Sequence, residues 1–413
     1  MKLPSPSILK KTNPISVTLL IALLAAVIGW QAGHLDYSVR WSGWKPAVKV
    51  TNDAPPKESN IDFKLFWDVW NRVTTQYVDK KAIDPQKMYY GAIQGMVAAL
   101  GDPYTVFLPP TQQKSIKEEL GGSFEGVGME LGFNKDNRLV VIAPLKDTPA
   151  EKAGIMPGDL IVKIEGEDAT NYSVLQAVDK IRGAKGTPVK VEVYREGEDK
   201  TREISMVRDT IVVKSAEFTP KTTQKGKKVA YIKLSRFGER TFQEWSDAVS
   251  DALASGATGV IVDVRNNPGG FLDGAVFIGS EFVGSGDIVM SEDANGKREH
   301  FPVNRAGKML NLPLVVLINK GSASASEIVS GAIQDHKRGK LVGDQSFGKG
   351  TVQESLELPG GTGLHITTNK WLTPDGRWIH HTGLTPDVKV EVDKSNPKND
   401  TQLNKALELL DSE

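Results

Sequence analysis

Between residues 61 and 100 the apolar positions recur at helical spacing. Phe63, Phe66, Trp70, Val73 and Tyr77 fall three or four apart, and Met88, Ala92, Ile93, Met96, Val97 and Leu100 form a second run that Gly101 and Pro103 end. Two amphipathic helices are predicted, their apolar faces serving as core or dimer contacts. From Gly121 to Arg208 the period shortens to that of strands, as in Leu139 to Ala143 and Val189 to Tyr194, around one helix-like run from Ser173 to Ile181. This predicts a small β-rich domain. Strand and helix then alternate: Val229 to Leu234, a helix to about Leu253, Gly259 to Val264, a helix near Asp273, Pro313 to Asn319, a helix after Ser324, and Leu341 to Gly343. Such alternation predicts helices packed on a largely parallel sheet. Beyond Asn399, Leu403, Leu407 and Leu410 share one face of a last amphipathic stretch, suited to docking or self-association.

The N-terminus follows a different pattern. Lys2, Lys10 and Lys11 precede an uncharged, mostly apolar stretch from Ile15 to Trp30, the order of an export signal's basic and apolar regions. The stretch is short against the roughly 20 residues that cross a bilayer, yet no A-x-A cleavage site follows it. A membrane anchor and a cleaved signal both remain open, the anchor preferred, with all that follows on the outer face. From Gln31 to Asn60 the chain turns polar around Pro46, Pro55 and Pro56 and reads as a linker. At 413 residues the chain is long enough for two or three domains. Basic and acidic residues balance at 51 each, so no global field draws it to nucleic acid. The absence of cysteine excludes disulfides and thiolate chemistry.

The candidate chemistry sits at three turns. Asn319 to Glu327 crowds small residues where a strand meets a helix, a place that exposes a side chain such as Ser324. Ser324-x-x-Glu327 also reads as a capping box, a purely structural role, but a helix N-terminus offers N–H groups to an oxyanion as well. The six histidines show no triad motif. Lys349, between Gly348 and Gly350, is the better base: burial of its stem would lower the amine's pKa from about 10.4. A surface lysine is the plain alternative. Gly343-x-x-x-x-Gly348-Lys349 begins like a phosphate loop, but Gly350 stands where that loop needs Ser or Thr, and Val352 to Leu358 reads as strand. If that strand leaves the turn directly, Gln353 would lie near the amine and orient it by hydrogen bonding. Arg265 to Gly270 ends in paired glycines, suited to completing an oxyanion hole or to an ordinary turn.

Together these motifs resemble the C-terminal processing peptidases. Gly101 to Thr105, the run Gly154 to Ile161, Asn266 to Gly270, Ser322 to Glu327 and Phe347 to Gln353 occur in that family's order. The resemblance implies an α/β serine protease core (α+β overall) with an inserted PDZ domain and a helical N-terminal region. The segments would be residues 1–14 cytoplasmic, 15–30 anchor or signal, 31–60 linker, 61–120 helical, 121–208 PDZ, 209–395 peptidase core and 396–413 a C-terminal helix. It implies Ser324 as nucleophile in preference to Ser322 and Ser326, Lys349 as base, Gln353 as its positioner, and Ala325 with Gly270, or Gly269, as oxyanion-hole donors. In the PDZ domain, Gly126, Val127, Gly128, Met129, Glu130 and Leu131 would receive a chain's terminal carboxylate, and Arg182 would couple that binding to the active site. Expected partners are unfolded or flexible protein C-termini, the membrane and a second copy in a homodimer. No metal, cofactor or nucleic acid is implied.

Overall fold

The computed structural model describes residues 37–42, 45–50, 61–393, 395–396 and 399–412. The apolar stretch Ile15 to Trp30 lies outside the described residues, among which no helix is long and apolar enough to cross a membrane. The chain divides after Pro85 into two units. In the first, Tyr37–Ser42 and Lys45–Val50 pair antiparallel, so part of the expected linker is a hairpin. Tyr37, Val39 and Trp41 alternate there with Ser38 and Arg40, the period of a strand. The helix expected around Phe63 to Tyr77 is Lys64–Gln76, and none of its residues is buried.

In the second unit the helix Pro85–Ala98 stops ahead of Gly101, whose φ is +74°. A helix the apolar pattern did not reveal, Pro110–Gly121, starts on proline and ends at left-handed Gly122. An antiparallel sheet follows, in the order Arg202–Val207, Pro188–Tyr194, Leu160–Ile164, Leu139–Pro144 and Met129–Phe133, with Glu167–Asp168 paired on Leu160–Ile164. Its inward positions, including Leu139, Val141, Ile161, Val189, Val191 and Val193, pack on Ala177 and Ile181 of the helix Val174–Ile181. Met129–Phe133 is an edge strand. Ser123–Gly126 pairs with Asp209–Val212, so chain entry and exit are tied together.

The larger sheet runs Ala216–Thr222, Lys228–Leu234, Gly259–Asp263, Leu314–Ile318, Lys340–Gly343 and Val388–Lys389. Only its first pair is antiparallel. Every position of Gly259–Asp263 and Leu314–Ile318 is buried, as a parallel sheet covered on both faces requires. On one face Val260, Val262, Val316 and Ile318 meet the helices Thr241–Ala254, Leu272–Phe282 and Ala325–Asp335. On the other, Val229, Ile261, Val315, Leu317 and Val342 meet Ala406 and Leu410 of the helix Thr401–Ser412, which therefore docks on its own chain.

The predicted α/β layer is thus present, but beside it stands a five-stranded antiparallel sheet that the alternation did not reveal. It runs Arg298–Pro302, Asp287–Asp293, Thr362–Leu372 and Thr351–Leu358, with Val106–Leu108 also paired on Thr362–Leu372. Its strands come from distant stretches, and half of Thr351–Leu358 is exposed, so no continuous apolar run marks it. This second sheet brings the Lys349 turn and residues 102–108 to the end of the first.

Candidate active site

The strand Leu314–Ile318 emerges from the sheet, and residues 319 to 324 turn the chain into the helix Ala325–Asp335. Asn319 braces this turn against the neighbouring loop: its amide donates to Asn266 Oδ1 at 2.9 Å, and its Oδ1 accepts from the N–H groups of Asn266 and Gly321. The three serines then separate by environment. Ser322 and Ser326 are fully buried, and their hydroxyls donate to the carbonyls of Val264 (2.8 Å) and Asn267 (3.0 Å). Ser324 is half-buried at the mouth of a 250 Å³ cavity. Its φ of +55° with ψ of −118° is strained for a residue with a Cβ, at a cost of about 1–3 kcal/mol.

Glu327 stabilises that conformation. The expected capping box is half made: the Glu327 carboxylate accepts from the Ser324 N–H at 2.9 Å, whereas the Glu327 N–H goes to the Ser324 carbonyl at 2.8 Å and the serine side chain makes no cap bond. The same carboxylate, fully buried, also accepts from Ser346 Oγ (2.6 Å), Gly348 N–H (2.6 Å) and Lys349 N–H (2.9 Å). Burial raises its pKa, opposed by these hydrogen bonds. One side chain therefore holds the backbone of both Ser324 and Lys349. It also fills the N–H cradle that a phosphate loop would offer to a ligand, and the chain leaves that cradle as the strand Thr351–Leu358.

Both glycines beside Lys349 are required by close packing. A Cβ on Gly348 (φ +91°) would lie 2.8 Å from Gly383 N, and one on Gly350 would lie 2.9 Å from His380 N. The lysine side chain enters the cavity that Ser324 lines, its Nζ 5.0 Å from the centroid of the Tyr104 ring. Burial lowers the amine's pKa below its ordinary value, and the charges of Asp102 and Glu327 oppose that only in part. Gln353 lines the same cavity. Its amide nitrogen donates to Thr351 Oγ1 (2.9 Å) and Thr367 Oγ1 (3.1 Å).

The structure also brings His365 to this cavity, which its polar surroundings in sequence did not suggest. Its Nε2 is buried with no hydrogen-bond partner among the described residues, so the ring makes no Ser–His pair. Burial and the Lys349 charge lower its pKa.

Asn267, fully buried, organises the loop opposite Ser324: its amide donates to the Leu234 carbonyl (2.9 Å) and its Oδ1 accepts from the Gly269 N–H (2.9 Å). Gly269 N–H is therefore engaged. Among the described residues the N–H groups of Gly270 and Ala325 have no partner, and both residues line the Ser324 cavity. The sequence reading missed Asn267, the fourfold role of Glu327, and Tyr104 with Asp102. The motifs contained all four, but nothing in their spacing distinguishes a positioning side chain from a turn residue.

Gly126, Val127 and Gly128 lead into the edge strand that carries Met129, Glu130 and Leu131. The loop is anchored through its carbonyls, Val127 O accepting from Ala150 N–H (2.8 Å) and Gly128 O from Leu145 N–H (2.9 Å). Arg182 lies beside this loop, stacked on Phe124 at 4.5 Å and paired with Glu118 at 3.0 Å. It is not among the residues lining the Ser324 cavity.

Comparison with known proteins identifies the family. Residues 228–390 match peptidase family S41, residues 115–194 a PDZ domain and residues 38–111 the N-terminal domain of the activating protease CtpB. The carboxy-terminal processing protease CtpA of Bacillus subtilis is 38% identical over 324 residues, 78% of this chain and 68% of that protein. The carboxyl-terminal-processing protease of Synechocystis is 36% identical over 360 residues, 86% of this chain and 84% of that one. Among solved structures, the photosystem II D1 C-terminal processing protease aligns with a TM-score of 0.50 and 29% identity over 83% of this chain and 96% of its own. A putative S41 protease from Bacteroides fragilis shares the fold, with a TM-score of 0.55 at 17% identity over 87% and 99%. With its relatives aligned over most of its length and an N–H-lined serine turn beside a buried lysine, the chain belongs to peptidase family S41, the carboxy-terminal processing serine proteases, and carries a PDZ domain.

Proposed function

We propose that the chain hydrolyses peptide bonds with Ser324 as nucleophile and Lys349 as general base. The observation that carries this reading is the pairing, in one cavity, of the only serine of the Ser322–Ser324–Ser326 trio whose hydroxyl is not donated to a backbone carbonyl with a lysine whose burial favours the neutral amine. Neutral Lys349 accepts the hydroxyl proton as Ser324 Oγ attacks the carbonyl carbon. The tetrahedral oxyanion is received by the N–H groups of Ala325 and Gly270, Gly269 being engaged by Asn267. The ammonium then protonates the leaving amine, and water repeats the cycle on the acyl-enzyme. Gln353 positions the lysine.

Substrates are unfolded or flexible chains held by their C-termini at Gly126 to Leu131, where the unpaired edge of Met129–Phe133 accepts an added strand. Arg182, held by Glu118 when no peptide is bound, couples that event to the active site. The work is extracytoplasmic, with the protein anchored by Ile15 to Trp30. The exposed apolar positions of Lys64–Gln76 suit a homodimer contact. Incubation of the exported part and its Ser324→Ala form with an unstructured protein tests the central assignment: equal degradation by the two would refute it. A shortened, soluble extracytoplasmic form beginning beyond Trp30 would replace the anchor with a cleaved signal.

A further inference from the structure

A relay of hydrogen bonds runs from the cavity to a residue more than two hundred positions away in sequence. Gln353 uses its amide nitrogen on Thr351 Oγ1 at 2.9 Å and Thr367 Oγ1 at 3.1 Å. Thr367 is in turn fixed through its own N–H, which donates to Thr105 Oγ1, and the one hydrogen of the Thr105 hydroxyl goes to the Asp102 carboxylate, which can only accept. Asp102 is itself held by the Tyr104 N–H (3.0 Å) and the Thr105 hydroxyl (2.7 Å), and Thr105 Oγ1 accepts from the Thr367 N–H (3.0 Å). The same turn supplies Tyr104, the ring over which Lys349 Nζ lies.

We propose that Asp102 is a positioning residue of the active site: through Thr105 it fixes Thr367, whose hydroxyl holds the Gln353 amide in the cavity, and through its own turn it holds Tyr104 under the amine. The proposal rests on the Ser324 and Lys349 reading above. It also makes Asp102 an electrostatic partner of the base. The groups facing Lys349 are Asp102, Glu327, Tyr104 and His365, of which the two carboxylates favour the ammonium form. On its other side Asp102 faces His380, whose pKa is lowered by burial and by His381. Burial would raise the Asp102 pKa, but the hydrogen bonds it accepts outweigh it, so the group stays ionised. Removing its charge lowers the lysine's pKa and extends the neutral amine to lower pH.

The test is kcat/KM against pH for the full-length protein on labelled, unfolded casein, because that profile reports the free enzyme's ionisations. Thr367→Val breaks the relay without changing charge: kcat should fall about tenfold or more with the acid limb unmoved, and Thr367→Ser should restore it. Asp102→Asn should lower kcat and also move the acid limb to lower pH, a shift that a loss of folded protein alone would not produce. Should Asp102→Asn fail to fold, Thr367→Val and Thr367→Ser decide. Wild-type turnover in Thr367→Val, or an unmoved acid limb in folded Asp102→Asn, overturns the proposal. If Lys349→Ala remains active, it is the assignment of the base that fails; if Lys349→Ala is inactive while the two other variants behave as wild type, only the role of Asp102 fails.

Discussion

Ser324 and Lys349 are brought together by Glu327, a residue that performs no chemistry. Its carboxylate accepts four hydrogen bonds, two of them from the N–H groups of the proposed nucleophile and base, so the strained φ of Ser324 is maintained by a group buried behind it. The residue-scale prediction concerns the base. Lys349→Ala should lower kcat by about 10²–10⁴-fold, the range of general-base contributions. His336, His365, His380 and His381 should each tolerate alanine without comparable loss, His365 being the sharpest test because it lines the cavity. In the wild type, activity should rise with pH as the amine loses its proton. The sign follows from the shift: burial lowers the lysine's pKa, so the midpoint lies below 10.5, its ordinary value. Full activity in Lys349→Ala, or loss in a folded histidine variant, would refute the mechanism.

At the scale of elements, the two turns that face each other across the cavity are built to interlock. Gly269, at φ +101°, sits where a Cβ would lie 2.8 Å from both the Ala323 carbonyl oxygen and Ser324 Cβ. Gly269→Ala should therefore remove activity by displacing the Ser324 turn while the sheet stays folded; wild-type kcat with an unchanged circular dichroism spectrum would count against this interlock. The helix Thr401–Ser412 offers a test of packing. Leu410 is 3% exposed and closes the lower face of the sheet. Leu410→Ala should cost about 2–5 kcal/mol in urea unfolding, the usual range for a buried leucine. A cost under about 1 kcal/mol would mean that the helix contributes little to that core. The strand pattern of the parallel sheet was legible because residues 260–262 and Leu314–Ile318 are unbroken apolar runs. The antiparallel sheet was not, because Thr351–Leu358 and Thr362–Leu372 mix polar and apolar positions along a half-covered surface.

For the whole molecule the question is how peptide capture reaches the cavity. Arg182 is the proposed coupler, yet the structure pairs it with Glu118 and stacks it on Phe124, beside the loop that would hold the peptide's carboxylate. A bound C-terminus must then favour a second arrangement through contacts that this one lacks. Arg182→Ala should lower turnover of an unfolded substrate while peptide affinity, measured calorimetrically on the protein carrying Ser324→Ala, stays nearly unchanged. Cleavage at the wild-type rate would make Arg182 a structural charge only.

What the amino-acid sequence determined by itself were the features set by local chemistry. They are the helical periods before Gly101, the continuous apolar strands of the parallel sheet, the amphipathic last helix, and the short motifs around Asn266, Ser324 and Lys349, whose glycines and serines announce tight turns. Tertiary structure alone decided which of those residues face one another. Only packing engages the Ser322 and Ser326 hydroxyls and leaves that of Ser324 at the cavity, turns His365 inward, occupies Gly269 N–H with Asn267, and lays Tyr104 under an amine 245 positions later in the chain. The physical reason is range. A turn or an amphipathic face is fixed by neighbours a few residues apart, whereas hydrogen-bond direction, burial and the pKa that burial shifts depend on groups that the chain brings together only by folding.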